Sequence, residues 1–134
     1  AVGADLVTRD YRGVSTMNEE AVLQLDPQVI LIGGWAENTR LEQLYADPKW
    51  ADVTAVKEGQ VYLVPDGFVS FERYAVEAPP LLRYTAAQLY PELFDCDPVP
   101  DFQAFFQEFH QIDVPAEKVG YMLGGLSPDG SRMD

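Results

Sequence analysis

Five side chains of complementary chemistry stand close together between Phe68 and Tyr74. Phe68, Phe71 and Tyr74 offer aromatic surface. Ser70 adds a hydroxyl, and Arg73 adds a planar cationic fork that suits a carboxylate, an oxyanion or a metal chelate. These residue types predict a binding surface for an anionic ligand with flat or apolar parts. The alternative interpretation is a loop whose aromatics pack into the core and whose charges are solvated.

Trp35 is a second aromatic candidate. It follows the apolar run QVILIGG, directly after the glycines 33 and 34. A large aromatic at that point either caps the core or offers a flat wall to a ligand, and the residue type alone does not choose between these roles. No GxGxxG pattern surrounds the two glycines, so a dinucleotide site is not indicated.

The elements that must position these residues alternate between helix and strand. Apolar spacing predicts one helix in MNEEAVLQLDP, capped by Ser15, Thr16 or Asn18, and another in ENTRLEQLYADPKW. QVILIGG predicts a strand buried on both faces, and a second strand is predicted from about Gln60 to Val64. This order predicts an α/β fold with a Rossmann-like parallel sheet flanked by helices.

Such sheets bind ligands at the carboxyl ends of their strands. Trp35 and the segment 68–74 each follow a predicted strand, so the two candidates are expected at the same edge of the sheet. On the amphipathic helix predicted in ENTRLEQLYADPKW, one face carries Leu41, Leu44 and Tyr45.

Three further helices are predicted downstream, in VEAPPLLRYTAAQLY, PDFQAFFQEFHQID and PAEKVGYMLGG. The first begins close behind Tyr74, since Pro79 and Pro80 are tolerated only in a first turn. Its predicted apolar stripe comprises Leu81, Leu82, Thr85, Ala86 and Leu89. The second carries an apolar band that comprises Phe102, Phe105, Phe106 and Phe109.

Composition excludes several classes of function. The chain has 134 residues, enough for one domain, and a formal net charge of −13, which disfavours nucleic acid as a partner. Cys96 is the single cysteine and His110 the single histidine, so neither a disulfide nor a zinc site is indicated. We therefore predict no catalytic residue, no metal ligand and no cofactor.

Two other classes of function remain open on the residues alone. One is a small α/β enzyme that uses Glu72 or Asp66 as a general base, although no nucleophile or metal motif accompanies either residue. The other is a structural or interaction domain in which the aromatics of segment 68–74 belong to the core.

Three longer stretches resemble a known family: VSTMNEEAVLQLDPQVILI, LYADPKWADVTAVKEGQVYLVP and ERYAVEAPPLLRYTAAQLYPELF. They resemble the C-terminal lobe of substrate-binding proteins of the cobalamin and iron-siderophore ABC importers, in which one long helix joins two lobes. The resemblance runs from about Val14 to Gly124. Gln28 departs from the acid usual in the family after the proline at 27.

The resemblance implies a binding protein rather than an enzyme. Residues 1–134 would form one α/β lobe, with residues 127–134 as a frayed tail, and the N-terminal lobe and linking helix would lie outside this chain. The ligand would sit between the lobes and be a ferric siderophore, haem, cobalamin or an oxyanion such as molybdate. Implied ligand-binding residues are Trp35, Phe68, Ser70, Phe71, Arg73 and Tyr74.

The resemblance also implies a membrane partner. Glu20 matches the glutamate that docks each lobe onto an arginine pocket of the ABC permease, and Glu19 is the neighbour that could take this role instead. The ordinary role of acids at a helix start is to stabilise the positive end of the helix dipole. The implied location is periplasmic, or extracellular on a lipoprotein anchor. A lone lobe is expected to self-associate through uncovered apolar surface.

Overall fold

The fold is described from a computed structural model over residues 3–7, 18–33, 37–65, 76, 78–94, 97–126 and 129–131, with no side-chain description for residues 37–39. The helices are α1 (Glu19–Leu25), α2 (Glu37–Ala46), α3 (Thr54–Lys57), α4 (Ala78–Leu89), α5 (Pro98–Phe105) and α6 (Ala116–Leu123). The strands are β1 (Ile30–Ile32) and β2 (Val61–Leu63). A 3₁₀ turn, Pro48–Trp50, follows α2, and a π-helical turn, Phe106–His110, follows α5.

The two strands form a parallel sheet, in which Ile30 pairs with Val61 and Ile32 with Leu63. The backbone N–H of Val64 continues the ladder by donating to the carbonyl oxygen of Ile32 at 2.8 Å. The connection between the strands runs through α2, the 3₁₀ turn and α3, as a parallel pair requires. The predicted α/β fold, a parallel sheet flanked by helices, is confirmed.

Helix α1 begins and ends at short polar residues. Of the three predicted caps it is Asn18 that acts, because its Oδ1 accepts the N–H of Ala21 at 2.9 Å. Asp26 ends the helix in the left-handed region, at φ 40°. The Asp26 carboxylate then accepts the backbone N–H of Thr54 at 2.8 Å and its hydroxyl at 3.0 Å, which joins the end of α1 to the start of α3.

Apolar side chains gather in two clusters. The sheet cluster consists of buried Val53, Ala55 and Val61, with partly buried neighbours that include Ile30, Ile32, Leu41, Leu44 and Trp50. The helical cluster consists of Val64, Tyr84, Phe102, Phe105, Phe106, Val119 and Met122. Helices α4, α5 and α6 pack around the helical cluster, while α2 covers the sheet.

The prediction that β1 is buried on both faces is wrong in this structure. Ile30 and Ile32 are half-buried towards the sheet cluster, but Leu31 remains 44% exposed. Successive strand residues point to opposite faces, and the helices that supply the sheet cluster lie on the face of Ile30 and Ile32. Leu31 points to the other face.

Three apolar residues on the predicted helix faces are exposed in the structure. Tyr45 is exposed because it lies a further 100° or so round α2 from Leu44. Leu82 is exposed because the buried face of α4 is centred on Tyr84 and Thr85 instead. Phe109 is 56% exposed because the π-helical turn holds one residue more than an α-helical turn, which rotates Phe109 away from Phe102 and Phe106.

The longest helices fall well short of a bilayer's thickness. Within the part of the chain that the structure describes, none is both long and apolar enough to span a membrane. The predicted frayed tail, 127–134, is described only at residues 129–131 and stays a prediction.

Candidate functional site

The carboxyl ends of β1 and β2 lie side by side. Ile32 pairs with Leu63 at the end of the ladder, so Gly33 and the pair Val64 and Pro65 leave the sheet at one edge. We call this edge the strand-end edge. Parallel sheets bind ligands at such an edge because both outgoing segments can reach the same space.

The predicted ligand-binding residues are Trp35, Phe68, Ser70, Phe71, Arg73 and Tyr74, and all six lie outside the described residues. The same holds for Asp66 and Glu72, the acids of the enzyme alternative. What the structure places is the framework around them. Residues 34–36 connect Gly33 to the start of α2, and residues 66–75 follow Pro65 and precede α4.

Arg40, in the first part of α2, reaches back to the strand-end edge. Its Nη1 donates to the carbonyl oxygen of Gly33 at 3.0 Å. Sequence analysis missed this residue, because a hydrogen bond from a helix back to a strand end leaves no motif in the sequence. Arginine is suited to the contact, since its guanidinium carries several donors in a fixed plane.

A shallow cleft of about 340 Å³ opens beside Arg40. Its apolar lining consists of Ile32, Leu44 and Trp50. Its polar lining consists of Glu19, Arg40, Gln43 and Asp47. The cleft therefore extends from the start of α1 to the strand-end edge. Its lining combines apolar side chains with acidic side chains and one arginine.

The two acids that open α1 have different surroundings. Glu19 accepts a hydrogen bond from Lys49 Nζ at 3.3 Å, and this bond, with the charge of Glu19 and then of Asp47, raises the pKa of Lys49. Glu20 is exposed, and within the described ranges no ion pair engages it. Both acids are exposed, and they differ in that only Glu19 has a cation beside it among the described residues.

Residues suited to metal chemistry do not gather in the described parts of the chain. No group of three or more His, Cys, Asp or Glu side chains there could hold an ion. His110 is half-buried in the π-helical turn, with its ring centroid 5.5 Å from that of Phe105 and 5.7 Å from that of Phe106. Its surroundings are aromatic packing rather than a ligand set.

Comparison with known proteins identifies the class that this fold and edge define. Residues 2–67 match the family model described as periplasmic binding protein. Comparison with curated proteins returns no match. The family model thus supports the resemblance over 66 of the 134 residues, just under half of the chain.

Solved structures extend the likeness over most of the chain. A periplasmic solute-binding protein from Veillonella parvula has a TM-score of 0.76 at 20% identity, covering 92% of this chain and 39% of its own. The molybdate periplasmic binding protein MolA of Haemophilus influenzae, bound to molybdate, has a TM-score of 0.69 at 25% identity, covering 85% and 36%. A TroA-like periplasmic binding protein, FepB from Veillonella parvula, has a TM-score of 0.60 at 28% identity, covering 81% and 36%.

These comparisons confirm the resemblance to substrate-binding proteins of ABC importers that was predicted from the sequence. The chain has the α/β fold of the TroA-like periplasmic binding proteins, and it spans less than two fifths of the length of the structures it resembles. Those relatives are solute-binding proteins, which are not enzymes.

Proposed function

We propose that this chain is the C-terminal lobe of the substrate-binding component of an ABC importer, and that its strand-end edge forms one side of the ligand cleft. The observation that carries the proposal is the likeness of fold to periplasmic binding proteins over 81–92% of the chain. The parallel pair with both carboxyl ends at one edge supports it. The proposed location is the periplasm, or the extracellular side of the cell membrane through a lipoprotein anchor.

The proposed ligand is a metal chelate: a ferric siderophore, haem or cobalamin. Arg73 would meet the negative charge of the chelate, and Phe68, Phe71 and Trp35 its flat or apolar parts. Ser70 would donate or accept a hydrogen bond. Tyr74 would ligate haem iron or hydrogen-bond to an anion. These assignments follow from residue type and from the position of both segments directly after a strand.

A second proposed ligand class is a tetrahedral oxyanion such as molybdate. Support comes from the similarity of this chain to MolA, whose structure holds molybdate. A small oxyanion would use Arg73, Ser70 and backbone N–H groups, and would need little from the aromatic rings. The two ligand classes therefore differ in their dependence on Phe68 and Phe71.

Titration tests the proposal. The native protein that contains this chain would be titrated with ferric siderophores, haem, cobalamin and molybdate, followed by tryptophan and tyrosine fluorescence. We expect one ligand to bind tightly, Arg73→Ala to weaken binding at least about tenfold, and Phe71→Ala to weaken a chelate but not molybdate. Arg83→Ala is the matched control. Arg83 lies on α4, and its Nε is 3.0 Å from Oδ2 of Asp101 on α5.

If no ligand of the panel changed the fluorescence, both ligand classes would be contradicted. The enzyme alternative would then be favoured, and its decisive test is an enzymatic activity that is lost in Glu72→Gln or Asp66→Asn. Equal losses in Arg73→Ala and Arg83→Ala would show that binding depends on general stability and not on the proposed site.

The proposed permease contact is Glu20. It is supported by the exposure of Glu20 at the start of α1 and by the engagement of its neighbour Glu19 with Lys49. With the cognate permease in vesicles, we expect Glu20→Ala to abolish most of the stimulation of ATP hydrolysis while ligand binding is kept. Glu19→Ala is the matched control, and a larger loss in that variant would assign the role to Glu19.

We also propose that the 134-residue chain self-associates when isolated. Leu31 on the sheet, together with Leu6 and Tyr45, leaves apolar surface in contact with water. Sedimentation velocity over a range of concentrations should show mass increasing with concentration. A monomer throughout that range would contradict the proposal.

A further inference from the structure

Helix α6 ends in a turn that changes the direction of the chain. Gly125 lies in the left-handed region at φ 64°, a conformation that glycine adopts without strain. The N–H of Leu126 donates to the carbonyl oxygen of Tyr121 at 2.8 Å. The N–H of Gly125 donates to the carbonyl oxygen of Met122 at 3.1 Å. These two bonds and the left-handed glycine form a Schellman motif, so the chain leaves α6 at a defined angle.

Further along the chain, Gly130 lies on the aromatic ring of Tyr121. A Cβ atom built on Gly130 would be 2.9 Å from Cζ of Tyr121 and 3.2 Å from each of its two Cε atoms. These distances put the Cβ position directly above Cζ, on the face of the ring and not at its edge. One α-hydrogen of Gly130 therefore points at the ring face, whose negative charge favours such a contact.

Position 130 requires glycine for two independent reasons. Its backbone lies at φ 80°, where a residue with a Cβ atom is strained. A Cβ atom 2.9 Å from Cζ of Tyr121 would also force the ring or residue 130 to move. The ring does not move freely, because the Tyr121 hydroxyl donates a hydrogen bond to Glu117 Oε1 at 2.8 Å, one turn earlier on α6.

Polar groups hold the residues on either side of Gly130. The hydroxyl of Ser131 donates to Asp129 Oδ1 at 2.6 Å, and the N–H of Ser131 donates to the same oxygen at 2.9 Å. Such a bond from an aspartate to the backbone two residues on closes a tight turn. These bonds lower the pKa of the Asp129 carboxyl, and the positive charge of Lys118 on α6 adds to that effect. Asp129 is thus attracted to the helix that carries Tyr121.

We propose that residues 129–131 form a strap that closes onto α6, with the Tyr121 ring as its seat and Gly130 as the residue that the seat requires. The closed strap covers one face of the ring, and the open strap exposes that face to solvent. Val119 and Met122 hold α6 in the helical cluster, so opening leaves the helix in place. For these three residues the strap stands against the predicted frayed tail.

Nuclear magnetic resonance of glycine α-protons tests the strap. The native protein that contains this chain would be labelled with carbon-13 at its glycine α-carbons, and the Gly130 signal would be identified by its loss in Gly130→Ala. We expect one α-proton of Gly130 to resonate well upfield of the other, because a proton above an aromatic ring is shielded. Tyr121→Leu should remove this difference, whereas Tyr121→Phe keeps the ring and should retain most of it. Tyr45→Leu, which removes an exposed tyrosine on α2, is the matched control.

Amide hydrogen exchange gives a second measurement that does not depend on replacing Tyr121. The N–H of Ser131 is bonded to Asp129 in the closed strap, so we expect it to exchange faster in Gly130→Ala. The N–H of Val119, which donates to the carbonyl oxygen of Pro115 at 3.1 Å at the start of α6, should exchange as slowly as before. Unfolding midpoints from circular dichroism show whether each variant remains folded.

The strap needs neither the proposed ligand nor the permease contact, so its failure and theirs are separate results. Equal shifts of the two Gly130 α-protons in the unmodified protein would overturn the inference, as would a shift difference that persists in Tyr121→Leu. Unchanged exchange of Ser131 in Gly130→Ala would overturn the requirement for glycine. Faster exchange of Val119 together with Ser131 would also overturn the inference, since residues 129–131 would then belong to the core and not open separately.

Discussion

The helical cluster and the sheet cluster hold their parts of the molecule by different means. In the helical cluster, Phe102, Phe106 and Val119 are completely buried, and aromatic rings pack edge to face at 5.5 Å between Phe105 and Phe106. In the sheet cluster, Val53, Ala55 and Val61 are buried, but most of their apolar neighbours are only half-buried. The helical cluster is covered by its own side chains, whereas one face of the sheet is exposed at Leu31.

Around the sheet cluster, hydrogen bonds between separate elements add to the apolar packing. Asp26 bonds to Thr54 across 28 residues of sequence, Arg40 to Gly33, and Lys49 to Glu19. Such bonds are individually weak in water but directional, so they fix positions more than they add stability. The difference indicates that the helical cluster supplies most of the free energy of folding, while the sheet side carries the strand-end edge.

The largest expected effect comes from Phe102→Ala. Phe102 lies on α5 and is fully buried in the helical cluster, where α4 and α6 pack against α5, so its truncation leaves a cavity in addition to the loss of apolar burial. We expect a loss of about 3–5 kcal/mol in the free energy of unfolding, measured by urea denaturation. Phe109→Ala, in the adjoining π-helical turn and mostly exposed, should cost about 1 kcal/mol or less. Similar losses in both would contradict the assignment of the helical cluster as the main core.

A smaller effect is expected from Val61→Ala in the sheet cluster. Val61 is buried on β2, but its partly buried surroundings can close on a small vacancy. Urea denaturation should show a loss of about 1–2 kcal/mol. Val76→Ala, at an exposed position ahead of α4, serves as the control and should change stability by no more than about 0.5 kcal/mol. A loss in Val61→Ala that equals that of Phe102→Ala would remove the distinction between the two clusters.

The hydrogen bonds from Thr54 on α3 to Asp26 at the end of α1 should affect how the free energy of unfolding changes with pH in the acid range. The N–H of Thr54 and then its hydroxyl lower the pKa of Asp26 below the ordinary value of 3.8. A lowered carboxyl pKa contributes stability that is present above pH 3.8 and is lost as pH falls through the folded pKa. Asp26→Asn should therefore reduce stability at pH 7 and reduce its dependence on pH below 3.8.

Asp52→Asn is the control for this tie, since the Asp52 carboxylate is exposed and lies 3.2 Å from Lys57 Nζ. Urea midpoints from pH 7 to pH 2 measure both variants. The same pH profile in Asp26→Asn and in the unmodified chain would show that the Thr54 bonds do not stabilise the folded state.

The smallest effect is expected from Lys49→Met. Its hydrogen bond to Glu19 raises the pKa of Lys49 above 10.5, so the pair contributes below that pH and is lost as pH rises through the folded pKa. Both side chains are mostly exposed, where salt screens the attraction. The urea midpoint of Lys49→Met at pH 7 should therefore equal that of the unmodified chain within error. Lys57→Met, which removes another exposed ion pair, should give the same result. A clear drop in Lys49→Met alone would show that the sheet side depends on this pair.

Sequence patterns were sufficient for the parallel sheet and for five of the six described helices, whereas the four-residue helix α3 was not predicted. Apolar spacing located α1, α2 and α4, and glycine and proline marked most of the ends. Burial was harder, because a pattern gives the apolar face of an element without saying what covers it. Leu31 shows this for a strand and Phe109 for a helix, where an extra residue in the turn changed the face.

The candidate site was predictable only in part. The strand-end edge follows from helix and strand alternation, which is a local property. The bonds from Asp26 to Thr54 and from Arg40 to Gly33 depend on how separate elements meet, and neither leaves a motif in the sequence. The ligand-binding roles of Trp35 and of the residues from Phe68 to Tyr74 remain predictions from residue type and strand order.

Amide hydrogen exchange with and without ligand tests the central claim most directly, that ligand binds at the strand-end edge. The native protein that contains this chain would be compared with and without each ligand of the panel, by mass spectrometry of peptides. We predict ligand-dependent protection in peptides that cover residues 33–37 and 65–76, and none in those that cover 98–123. Protection confined to 98–123, or its absence from both strand ends with a bound ligand, would contradict the claim.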